Sequence, residues 1–122
     1  SNDYEIINLN YNDVSNELNK TDVGIFFLKK NLSIIASFPT KIAEYFICNK
    51  PIISNNFNND IHDVIDFKRG FLVNDLKELN SYKINKLKNI ILDNYSNEYC
   101  LSYASNNLIN TKILEKILES YE

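Results

Sequence analysis

The stretch FPTKIAEYFICNKPIIS, residues 38–54, sets a hydroxyl, a cation and an acid within one helical turn. Thr40, Lys41 and Glu44 fall at i, i+1 and i+4, so a helix carries all three on one face, opposite Ile42 and Phe46. Pro39 suits the first turn of that helix, because the N–H it lacks would have no intrahelical partner there. The unpaired N–H groups and positive dipole end of the same turn favour an anion such as a diphosphate. The Ser37 and Thr40 hydroxyls lie within reach, and Lys41 adds a full charge. Glu44 then stands as an acceptor beside an anion hole. A carboxylate takes two hydrogen bonds from a vicinal diol, so the set suits a ligand with phosphates at one end and a ribose at the other. The same spacing equally describes an exposed Lys41–Glu44 pair worth only a few tenths of a kcal/mol. Spacing alone does not separate the two.

The elements that would hold these residues are read from apolar periodicity. EIINLN (5–10) is a weakly alternating β-branched run, and Val14 and Leu18 in DVSNELNK (13–20) mark a short helix. VGIFFL (23–28) is a continuous apolar run of strand length, as expected of a central strand covered on both faces of a parallel sheet. The segment 29–37 loses periodicity and reads as a loop. Ile42, Tyr45 and Phe46 share the packing face of the helix that follows, and PIIS (51–54) is a second buried strand. Asn49 should cap the helix in a left-handed conformation. NNFNND (55–60) reads as a polar loop, DIHDVID (60–66) as a short helix and GFLV (70–73) as a last small strand. Beyond Asp75 the period turns helical, with Leu76 and Leu79, then Ile84, Leu87 and Ile91, then Ile113, Leu114, Ile117, Leu118 and Tyr121. Strands alternating with helices predict one α/β domain over 1–122, a parallel sheet with right-handed crossovers and a helical C-terminal tail. Ligands of such sheets bind where loops leave the carboxyl ends of the strands, and the segment from Lys29 to Lys41 follows directly on VGIFFL.

Composition narrows the partners. The chain has 122 residues, 44% hydrophobic and 24% charged, which is the range of a folded soluble domain. A net charge of -3 argues against a generic nucleic-acid binder, which needs a basic face to displace counterions from phosphate. Two cysteines, Cys48 and Cys100, stand without CxxC or His/Cys spacing and read as small hydrophobes in a reducing compartment. The opening SNDYEIINLN lacks the basic and apolar regions of a signal peptide, so secretion is not expected. His62, the single histidine, has no nucleophile pattern near it and reads as a surface residue. Asp60, Asp63 and Asp66 recur every three residues without an EF-hand Gly and Glu, and helix-start electrostatics account for them. Lys29 and Lys30 are secondary candidates for phosphate.

The run TDVGIFFLKKNLSIIASFPTKIAEYFICNKPIIS (21–54) resembles the C-terminal nucleotide-binding domain of family 4 (group 1) glycosyltransferases of the GT-B fold. Ser37, Pro39, Lys41, Ile42, Glu44, Tyr45, Lys50 and Pro51 match that family's pattern in order, and RGFLV (69–73) and ILEKILESYE (113–122) look like its later strand and terminal helix. The resemblance implies a Rossmann-like sheet and a hexosyl transfer from a nucleotide-sugar, with retention and with neither metal nor other cofactor. It assigns the ribose to Glu44 and the diphosphate end to Ser37, Thr40 and Lys41, and it names no catalytic residue. Two departures stand out. Ala36 occupies the position of an earlier glutamate that touches the donor sugar in many members, and Asn49 replaces the usual Gly before Lys-Pro. The family's acceptor site lies on a separate N-terminal domain, so the resemblance implies that this chain is a fragment, inactive alone. Its partners would be the nucleotide-sugar donor, that N-terminal half, and a glycan or lipid-linked acceptor. It would act in surface-glycan synthesis in the cytoplasm, at the inner face of the membrane if the other half is peripheral. A nucleotide-sugar epimerase of the same architecture and a non-enzymatic α/β interaction module are the alternatives.

Overall fold

The computed structural model describes residues 5–7, 13–29, 41–57 and 61–108. Helix α1 spans Val14–Asn19, strand β1 Gly24–Phe26, helix α2 residues 41–47, strand β2 Ile52–Ser54, helix α3 Ile61–Val64 and strand β3 Gly70–Leu72. A 3-10 turn at Leu76–Glu78 leads into the long helix α4, Ser81–Asn97, followed by α5, Tyr99–Tyr103, and a π-helical turn at Ala104–Leu108. The three strands form one parallel sheet in the order β1-β2-β3, with Gly24 opposite Ile52 and Ile52 opposite Gly70. The molecule is therefore an α/β fold with a small parallel sheet flanked by helices.

Among the described strands β2 is the centre. Ile52, Ile53 and Ser54 are all buried, as a strand covered on both faces requires. This corrects the expectation for VGIFFL. The run shortens to β1, which among the described strands pairs with β2 alone, and side-chain alternation divides it between two environments: Phe26 packs toward α2, while Ile25 is 55% exposed and Phe27 37%. An all-apolar run signals strand, but it does not report how many neighbours the strand has. The first half of EIINLN is corrected as well. Residues 5–7 form no strand and Ile6 is 86% exposed, since β-branched residues hold a strand only where a pairing partner and a packing surface are supplied; residues 8–10 lie outside the described residues.

The core gathers between sheet and helices. Ile42 and Phe46 of α2, Ile52 of β2, Phe57, Ile61, Val64 and Ile65 around α3, and Cys100 and Ala104 near α5 make one buried cluster. Two glycines let the sheet close. Gly70 has φ +146°, and a Cβ there would sit 1.7 Å from the Ile52 carbonyl oxygen, so β3 can pair with β2 only if residue 70 lacks a side chain. Gly24 lies under the ring of Tyr45, 2.7 Å from where its Cβ would be. That contact seats α2 on β1, and Tyr45 meets Phe26 edge to face at 5.2 Å.

Asn49 ends α2 as expected, at φ 60°. Its N–H donates to the Phe46 carbonyl and that of Lys50 to the Tyr45 carbonyl, the paired bonds of a Schellman motif. In α4 the buried residues are Ile90 and Asn94, with Lys83 and Leu87 partly buried above them. Of the stripe expected at Ile84, Leu87 and Ile91, the last two are partly buried and Ile84 is 43% exposed, so the inward face is shifted toward Ile90 and Asn94. The cause is Asn94. Its side-chain amide donates to the Lys68 and Ile90 carbonyls, and its oxygen accepts from the Cys100 N–H, so a polar residue anchors the inward face. The stretch 113–121 lies outside the described residues.

Candidate functional site

Helix α2 runs from the carboxyl edge of the sheet back to its amino edge, because it joins the end of β1 to the start of the parallel β2. Within the described helix Lys41 therefore lies at the end nearer the carboxyl edge, Glu44 one turn further in, and Cys48, Asn49 and Lys50 at the amino edge. Lys41 is exposed. Glu44 is half-buried, which departs from a purely outward face. Removal from water raises its carboxyl above the usual range, and the Lys41 ammonium partly offsets the rise. Burial likewise raises the neighbouring Tyr45 phenol, with the Glu44 charge adding to it. The cation and the acid singled out from spacing are thus in electrostatic contact. Ser37 and Thr40, with Ala36, Pro39 and Lys30, lie outside the described residues.

Asn55 shapes this edge. Directly after β2, its side-chain oxygen accepts from the Leu28 N–H at 3.0 Å and its amide donates to the Leu28 carbonyl at 2.9 Å, while its own N–H donates to the Phe26 carbonyl. The amide acts as one more peptide unit, extending the β1–β2 ladder to the point where both strands turn into loops. Sequence gave no means of choosing it from the asparagines at 56, 58 and 59, since a polar loop was all that NNFNND specified. Lys29 follows the bridge and is exposed.

Several residues weighed for chemistry have structural tasks. His62 is exposed on α3. Asp66 faces Arg69 at 3.4 Å, and Arg69 also donates to the Val64 and Asp63 carbonyls, closing the end of α3, with its guanidinium 3.8 Å from the Tyr103 ring centre. Cys100 is fully buried and its thiol is pushed up to about 12 by desolvation. Among the described residues no three His, Cys, Asp or Glu side chains gather as a metal site, and no helix is long and apolar enough to cross a membrane.

A cavity of about 340 Å³ opens at the opposite, amino edge. Asn19 and Asp22 before β1, Cys48 to Lys50 before β2, and Ile91, Tyr95 and Glu98 on the far side line it. None of Asp22, Tyr95 and Glu98 had a signal in the sequence, because the three are brought together only when α4 crosses the edge. No protein-family model, curated protein or solved structure matches the chain.

Proposed function

We propose that the chain is the donor-binding unit of a GT-B glycosyltransferase and that it holds a nucleotide-sugar at the carboxyl edge of its sheet. One observation carries the reading. The helix bearing Lys41 and Glu44 joins two parallel strands, and the turn from the cation to the half-buried acid is the part of the described helix nearest the sheet edge at which ligands of α/β folds bind. In this reading Lys41, with Ser37 and Thr40, meets the diphosphate, and Glu44 accepts from the ribose diol. A carboxylate already withdrawn from water gains more from those hydroxyls than an exposed one would, because fewer competing solvent bonds must be broken. The donor is thereby fixed by its nucleotide end, and its anomeric carbon is left for an acceptor supplied by a second domain. Lys41 also stabilises the charge that develops on the departing diphosphate. Closure between two domains excludes water, so the chain alone binds donor and does not turn it over.

Calorimetric titration with nucleosides and nucleoside diphosphates tests this. Glu44→Gln should weaken both ligands by roughly 1.5 to 3 kcal/mol, the worth of hydrogen bonds to a charged group. Lys41→Ala should weaken the diphosphate and leave the nucleoside nearly unchanged. Wild-type affinity of Glu44→Gln for both ligands would remove Glu44 from the site and end the reading.

A further inference from the structure

We propose that the amino-edge cavity is a second binding site, for a neutral carbohydrate unit, and this does not depend on the donor reading at the other edge. Its lining combines three features that seldom serve packing. Tyr95, a residue 82% exposed, stands beside Ile91 and so offers an apolar ledge of the kind on which the C–H face of a sugar ring stacks. Asp22 and Glu98 bring two carboxylates to the same space, and neither makes an ion pair or a side-chain hydrogen bond among the described residues. Lys50 supplies a donor, its ammonium reaching, among the described residues, the Asn19 carbonyl at 3.5 Å. The volume, about 340 Å³, falls in the range of small-ligand sites.

The mixture of charges selects the ligand class. A polyamine is drawn to the acids and repelled by Lys50; a phosphate meets the reverse. A neutral polyol satisfies every group at once, giving hydroxyl protons to the carboxylates, accepting from Lys50 and laying its apolar face on Tyr95. Glu98 adds a separate argument. It sits at φ 54° between α4 and α5, a left-handed position at which glycine is far less strained. The fold thus keeps a carboxylate at the cavity where a residue without a side chain would fold more readily.

The test is amide chemical-shift mapping of the whole chain titrated with methyl glucoside, methyl galactoside and N-acetylglucosamine, with spermidine and inorganic phosphate as comparison probes. At least one sugar should give saturable shifts centred on Asp22, Lys50, Tyr95 and Glu98. Glu98→Gln should lower that affinity about tenfold and Tyr95→Ala several-fold. Glu98→Gly, which relieves the left-handed backbone and so keeps the fold, should lose affinity as Glu98→Gln does. Glu44→Gln should leave it unchanged, which separates this site from the donor site. Absence of shifts there with every sugar at roughly 100 mM, well above the millimolar affinity of a single sugar unit, would overturn the proposal. So would shifts from spermidine or phosphate alone, or sugar shifts that none of the three cavity variants reduces.

Discussion

The side-chain amide of Asn49 donates to the main-chain carbonyl of Asn94, tying the end of α2 to the last turn of α4 across 45 residues of sequence. The Asn49 oxygen accepts from the Leu101 N–H in return, and the Glu98 N–H shares the Asn94 carbonyl. Two asparagines therefore fix where α4 breaks and how α5 departs. Asn94→Ala would leave the Cys100 N–H without its partner in the interior and take the Asn94 donor from the Lys68 carbonyl. We expect a loss of roughly 2 to 4 kcal/mol, read as a lowered urea midpoint at unchanged slope.

The two strand glycines should differ sharply. Gly70→Ala places a methyl on the Ile52 carbonyl at a φ that side chains rarely adopt, and no rotamer relieves it. The variant should fail to fold, with native far-ultraviolet dichroism lost. The atoms nearest an added Cβ in Gly24→Ala all belong to the Tyr45 ring, so combining it with Tyr45→Leu should recover part of the stability lost by Gly24→Ala alone. Strict additivity in that cycle would show that the ring does not set the seat of α2.

Glu44 gives stability a pH dependence of definite sign. Its folded pKa is raised, so the folded state binds more protons than the unfolded chain between the ordinary value of 4.5 and the raised one. Stability conferred by the protonated acid is lost as pH rises through that window and stays lost above it. Glu44→Gln keeps a neutral group, so it should melt above wild type at pH 7, and the two melting curves should converge below pH 4.5. A lower melting temperature for Glu44→Gln at neutral pH would contradict the assignment.

The thiols should separate kinetically. Cys48 is partly exposed, whereas Cys100 is fully buried with a thiol held up to about 12. In native buffer a thiol reagent should modify Cys48 alone, and the second equivalent should be consumed only on denaturation. Two equivalents at equal rates would mean that the α5 region opens freely.

The strand-helix alternation, the parallel sheet and the left-handed Asn49 were legible in the sequence because each has a local cause: apolar run length, crossover length and the tolerance of asparagine for positive φ. Strand order was not legible. VGIFFL is the longer and more apolar run, yet among the described strands the pairing of β2 on both sides makes PIIS the centre. The inward face of α4 was legible at Leu87 and Ile91 but not at Asn94, which polarity would place outside and which hydrogen bonds to Asn49, Lys68 and Cys100 hold inside. Lys41 and Glu44 could be named from spacing, but the partial burial of Glu44 depends on how the rest of the fold covers that face. Asn55 and the cavity residues were hidden by the abundance of asparagine and by long-range assembly.

The Asn55 amide has a mechanical consequence. Because it holds both polar groups of Leu28, the exits of β1 and β2 form a single stiff hinge plate and cannot flex independently. A tug on the chain leaving β1 is transmitted through two hydrogen bonds to the loop that carries Phe57 into the core. Substituting a shorter side chain at 55 would leave each strand intact and uncouple their exits, turning one lever into two.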